Sequence, residues 1–311
     1  MSYVMERAMD RIPAGGAQRY LGAVQAGPRF CDLLSGVRRY LVHSVFAGAL
    51  NLWDGQEFLT LLPLSRGCGA TWATVAVAAG ESFLDFGIAP GLEVEACSGR
   101  WVRLGPEVVV DFGSAMAWES KLAALMVDDV REANLRALLD TLLRAPAPSP
   151  IRGTIDGNGG PGRGIVALVD GLRASVEATH GARLRAALGG LVGFGPGLTP
   201  SGDDLVAGLC LARAVMRKAC RKPDGFWEDA VREALGRTHA LSGFLVREAL
   251  GGRGHEFAED ALYYLLAGEP RETAHGATRL VSIGATSGFD MGVGIYFAAE
   301  WQRRYAWCSS G

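Results

Sequence analysis

The stretch Gly193-Phe-Gly-Pro-Gly-Leu-Thr-Pro-Ser-Gly-Asp-Asp-Leu-Val-Ala-Gly-Leu209 joins a glycine- and proline-rich loop to an apolar run. Gly193, Gly195, Gly197 and Gly202 permit backbone angles closed to other residues and let a ligand approach the main chain. Pro196 and Pro200 stiffen the loop. Ser201-Gly-Asp-Asp204 has the capping-box form, a serine at the N-cap and an acid three residues on. Leu205 to Met216 is apolar on almost every face, which predicts a buried helix. A stiff glycine loop feeding a helix N-terminus suits an oxyanion. The plainer reading is a capped core helix whose positive end is complemented by Asp203 and Asp204. Capping alone does not need four glycines in the ten residues 193–202. Two carboxylates repel a phosphate unless a cation lies between them, either a metal such as Mg2+ on hard oxygen ligands or an arginine.

Working outward, the stretch has an echo. Ser201-Gly-Asp-Asp-Leu-Val-Ala-Gly-Leu-Cys-Leu-Ala212 lines up with Ser287-Gly-Phe-Asp-Met-Gly-Val-Gly-Ile-Tyr-Phe-Ala298. Thr238-His-Ala-Leu-Ser-Gly243 supplies a third Ser-Gly in a helical stretch. Gly208, Gly292 and Gly294 cost helix stability without a packing reason, so they predict close helix approach. The two Ser-Gly-x-Asp helix starts are expected to face one another across one site. Asp203, Asp204 and Asp290 are its candidate catalytic residues, and Asp204 and Asp290 its candidate metal ligands or amide anchors. Gly195, Gly197, Gly202 and Gly288 on the main chain, with the Thr199, Ser201, Ser242 and Ser287 hydroxyls, are candidate substrate contacts. Chance recurrence of Ser/Asp capping is the alternative.

The rest of the chain predicts an α+β protein. Residues 19 to 112 read mainly as short strands: 40–50, 57–64, 71–79, 93–96, 100–104 and 107–112, with turn signals at Ser98-Gly99 and Gly105-Pro106. Close spacing predicts an antiparallel, barrel-like sheet. Residues 120–143 carry an apolar stripe at helical spacing. Ala145-Pro-Ala-Pro-Ser-Pro150 breaks that helix, and six glycines follow within 153–164. The expected organisation is a β-rich domain with a closing helix over 1–145, a Pro/Gly-rich linker or lid over 146–164, and a helical domain over 165–311. In the last, helices are expected near 165–189, 203–221, 226–250, 256–267, 271–283 and 290–305. Arg163 is the side chain to watch if the linker closes over a ligand.

Composition narrows the classes. A chain that is 49% hydrophobic and 21% charged builds a core, and a net charge of −2 disfavours a nucleic-acid surface. Six scattered cysteines form no C-x-x-C pair, against a zinc knuckle or redox motif. Residues 1–10 lack an apolar signal core, and no run approaches the ~20 apolar residues of a membrane span. A cytoplasmic protein is expected. G-x-S-x-G is absent, against a nucleophile elbow. Residues 153–164 are followed by no Lys-Ser/Thr pair, against a P-loop.

The Gly193–Asp204 stretch also resembles the signature of a bacterial family that includes the AllH-type subunit of oxamate carbamoyltransferase. His43-Ser-Val-Phe46 with Asn51-Leu52, and Thr286-Ser-Gly-Phe-Asp290, resemble that family's shorter motifs, so the likeness runs from about residue 40 to 300. The family often has histidine where this chain has Ala285, so that histidine's role is not carried over. The resemblance, with the neighbouring Ser44, brings His43, which alone reads more often as a satisfied strand histidine, into the candidate site, and Asn51 with it. It implies exchange of a carbamoyl group between oxalurate and phosphate, giving oxamate and carbamoyl phosphate in allantoin nitrogen catabolism. It also implies a complex with other protein subunits. Two other classes stay open from the residues alone. One is a nucleotide- or metal-dependent phosphotransferase; the other is a non-catalytic, metabolite-binding partner subunit.

Overall fold

The computed structural model describes residues 19–35, 39–97, 100–125, 130–157, 163–177, 181–219 and 225–305. The chain divides into two compact units, Met1–Trp118 and Glu119–Gly311.

The first unit is a closed barrel. Its elements are β1 (Arg19–Ala26), α1 (Pro28–Ser35), β2 (Tyr40–Phe46), β3 (Ala49–Trp53), β4 (Phe58–Pro63), β5 (Trp72–Val75), β6 (Glu93–Cys97), β7 (Trp101–Leu104), β8 (Val108–Asp111) and β9 (Met116–Ala117). The order β5-β4-β3-β2-β6-β7-β8-β1 closes through a β1–β5 pair, and β9 lies beside β1. Closure removes the sheet edges that short strands otherwise expose. Around the ring, the pairs β4–β5 and β1–β8 are parallel, and the others are antiparallel. The parallel pairs were not legible in the expected meander. β4 leads into β5 through a 3-10 turn at Leu64–Arg66 instead of a hairpin. Leu50, Leu52, Leu61, Val102 and Val110 fill the interior, with Phe30 of α1 among them.

The second unit is helical. It holds α2 (Glu132–Arg144), α3 (Gly153–Asp156), α4 (Arg163–Glu177), α5 (Gly181–Leu191), α6 (Ser201–Ala219), α7 (Gly225–Ala234), α8 (Ala240–Leu250), α9 (Glu256–Ala267), α10 (Pro270–Leu280) and α11 (Ser287–Tyr305). α6 and α11 pack together at its centre, burying Leu205, Leu209, Phe289, Val293 and Ile295. Cys210 is a buried thiol of α6 and is in no disulfide, as its apolar setting predicted. Among the described residues no helix is long and apolar enough to cross a membrane.

Three expectations change. The first unit ends at Trp118, not near 145, because Leu135, Leu138 and Leu142 of α2 are buried in the helical core. Residues 146–157 do not form a free linker: Ser149 and Ile151 are buried and α3 follows. Residues 158–162 of the expected lid, and the Arg163 side chain, lie outside the described set. The helices expected over 165–189 and 226–250 are each split, the second by a 3-10 turn at Leu235–Arg237.

Candidate functional site

The sequence echo is a structural repeat. On α5 the buried positions are Leu184, Ala187, Leu188 and Leu191; on α10 they are Thr273, Gly276, Ala277 and Leu280, at the same spacing. Both helices end in the same turn. The Phe194 amide donates to the Leu191 carbonyl at 2.9 Å, and the Ile283 amide donates to that of Leu280 at 3.0 Å. A glycine with positive φ follows in each, Gly195 at 116° and Gly284 at 61°. The first connection then carries Pro196–Pro200, and the second only Ala285-Thr286. Each reaches a Ser-Gly-x-Asp helix start.

At those starts the second residue is glycine for packing. A methyl group on Gly202 falls 1.9 Å from the Leu191 carbonyl oxygen, and one on Gly288 falls 1.8 Å from that of Leu280. These two glycines let each helix start sit on the end of the preceding helix. Their amides donate to the Phe194 and Ile283 carbonyls at 2.9 and 3.0 Å, so these N–H groups are already engaged within the protein. Gly197, with φ +93°, differs: nothing lies within 4 Å of its methyl position. Gly195, Pro196 and Gly197 are exposed, as are Gly284 and Ala285 on the second loop.

Beneath the loops the carboxyls are exchanged between repeats. The hydroxyls of Ser287 and Thr199 hydrogen-bond the Asp204 carboxyl, and those of Ser201 and Thr286 hydrogen-bond Asp290. Each serine at a helix start thus serves the aspartate of the other helix. The Thr199 and Ser287 hydroxyl oxygens are 3.2 Å apart. Asp290 also accepts from Ser149. Oδ2 of Asp204 and Oδ2 of Asp290 are buried without a hydrogen-bond partner. Burial pushes Asp204 well above the usual carboxylate range, and the neighbouring Asp290 and Asp203 charges add to this. Burial raises Asp290 to about 6 against its three hydroxyl donors. Desolvation penalises the charged form, so Asp204 leans toward the neutral carboxyl, while Asp290, near 6, is mostly ionised at pH 7.

Asp203 is wholly engaged by protein donors. Its Oδ1 accepts the Gly193 amide at 2.7 Å, and its Oδ2 accepts Ser242 at 2.6 Å and Thr238. Asp203 and Ser242 therefore tie the loop to α8. As for a metal, among the described residues no group of three or more His, Cys, Asp or Glu side chains gathers. Asp204 and Asp290 together offer two buried oxygens without a hydrogen-bond partner, the hard donors a cation would use.

His43 and Asn51 belong to the barrel. β2 and β3 slip register between Val42 and Ser44, at His43. The ring packs edge-on against Trp53 and Phe58, and its Nδ1 is 3.2 Å from the Ser44 hydroxyl. Burial lowers its pKa, so the imidazole is neutral. Asn51 donates to Ser44 at 2.9 Å and accepts from Thr60 at 2.8 Å.

Sequence reasoning did not find Ser149, Thr238 or Thr286 as partners of the aspartates. Ser149 lies 141 residues from Asp290 in a proline-rich stretch, with no local pattern to mark it. Thr286 was legible, because it adjoins the repeated Ser-Gly.

No curated protein and no solved structure matches the chain. Residues 191–299, which begin at the last residue of α5 and take in both paired helix starts, match the model of the family described as oxamate carbamoyltransferase subunit AllH.

Proposed function

We propose that the chain is a subunit of an oxamate carbamoyltransferase, in which phosphate and oxalurate give carbamoyl phosphate and oxamate. The observation that carries this reading is the family match, which takes in both paired helix starts. Phosphate attacks the carbamoyl carbon, the bond to the oxamate nitrogen breaks, and that nitrogen gains a proton. Such a transfer depends on positioned donors more than on a covalent intermediate. The loop main chain at Gly195 and Gly197 supplies donors for oxyanions, and the Thr199 and Ser287 hydroxyls, hydrogen-bonded to Asp204, position that carboxyl. A neutral Asp204 carboxyl adds a donor without repelling phosphate, so the cation bridge anticipated from the sequence is not needed. Asp290 is the partner that orients the carbamoyl nitrogen.

A second reading has its own support. The complete engagement of Asp203 and the filled methyl positions of Gly202 and Gly288 are what a non-catalytic subunit, using the motif to lock α6 and α11 onto the helices around them, also requires. Calorimetric titration of the full chain with carbamoyl phosphate, oxamate, phosphate and nucleotides, with and without Mg2+, separates the readings. Binding of carbamoyl phosphate or oxamate, reduced in a Thr199→Val variant, supports the transferase site. Nucleotide binding alone points to a phosphotransferase, and no binding at all to the locking role.

A further inference from the structure

The far end of α6 borders a cavity of about 440 Å3, lined by Ser120 and residues 122–125, the last turns of α6 and the Gly251–Arg253 turn after α8. Its nearest α6 residue, Ala214, is ten positions beyond Asp204 in the same helix, about 15 Å along the axis. The cavity is therefore separate from the paired helix starts. Its volume falls within the range of small-molecule sites.

The charges around it are almost all matched. Arg253 holds Glu248 through two hydrogen bonds of 2.8 and 3.1 Å. Glu259, buried beside the lining Ser120, accepts that hydroxyl and the Gly254 amide. Asp260 is paired with Lys121 and Arg279. Lys218 is left over: it lines the cavity, it is exposed, and it has no partner among the described residues. It stands in the last turn of α6, where the helix dipole offsets only about half a charge. Leu122, Leu125 and Val215 supply apolar lining.

We propose that this cavity binds a small organic anion, its carboxylate or phosphate held by Lys218 and its apolar body against Leu122, Leu125 and Val215. The proposal does not depend on carbamoyl transfer, and its test uses no turnover. Butyrate, butyl phosphate and butylammonium are titrated separately into the full chain by calorimetry. The expected result is saturable binding of butyrate or butyl phosphate and none of butylammonium. Which of the two anions binds identifies the head group. Lys218→Gln removes the charge from an exposed position, and Ala214→Leu fills the cavity from a half-buried one; each is expected to weaken binding at least about tenfold. Either variant alone suffices if the other fails to fold. No saturable binding of either anion, equal binding of butylammonium, or unchanged affinity in a folded variant overturns the proposal.

Discussion

Gly208 and Gly294 occupy equivalent positions in the repeat, each pressed on the other helix. A methyl group on Gly208 lies 2.1 Å from the Met291 carbonyl oxygen, and one on Gly294 lies 2.1 Å from that of Leu205. Met291 and Leu205 are themselves repeat equivalents, so the crossing of α6 and α11 has approximate two-fold symmetry. The contact is to main chain, which cannot swing aside.

Alanine at either glycine must therefore part the two central helices. The expected cost is at least about 3 kcal/mol per site, at the severe end for overpacking. Gly171, in α4, has nothing within 4 Å of its methyl position, so Gly171→Ala is expected to stabilise by about 0.5–1 kcal/mol. Urea denaturation of the three variants checks both signs.

Asp203→Ala strands one amide and two hydroxyls. A loss of about 2–4 kcal/mol is expected, since buried donors left unpaired lose their full desolvation cost. Asp203→Asn keeps the shape and one acceptor, and should lose less. Chemical denaturation measures the order of the two variants.

Glu259 gives the chain a predictable pH response. Burial pushes its carboxyl from 4.5 to about 7, so between those values the folded state holds the proton and the unfolded state has released it. Its contribution is fully present below about pH 4.5 and is lost as pH rises toward 7. The difference is at most about 3 kcal/mol at 1.36 kcal/mol per unit. Asp290, raised to about 6, acts with the same sign. Glu259→Gln should flatten the fall in stability between pH 5 and pH 8, measured by urea titration at each pH. An unchanged slope refutes the assignment.

Asp204→Asn tests how the carboxyl works. If Asp204 acts as a neutral donor, asparagine replaces it and affinity for carbamoyl phosphate stays within about threefold, well under 1 kcal/mol. A metal-bridged carboxylate would lose binding by much more, and only when Mg2+ is present. Calorimetry with and without Mg2+ distinguishes them.

The barrel was legible because short β-prone runs recur between Gly and Pro turn signals, and Tyr40, Val42 and Ser44 of β2 show alternating burial. The parallel pairs were not, since pairing partners such as Leu21 and Val110 lie far apart in the chain. The facing helix starts were readable from Ser201 and Ser287, because a repeated cap with glycine seven residues on encodes both the start and the crossing. The first unit's end was misplaced because proline at 146–150 breaks a helix without ending a core. Glu259 escaped notice, since only folding brings Ser120 against it.

The most direct test of the central claim is turnover by the assembled enzyme. Carbamoyl phosphate formation from oxalurate and phosphate is measured for a complex built with the wild-type chain and one built with Asp204→Ala, each confirmed to assemble. Loss of at least about a hundredfold in rate, the scale expected when a positioned donor is removed, is the predicted result. An assembled Asp204→Ala complex that turns over at the wild-type rate would contradict the account and leave the paired helix starts with a purely structural role.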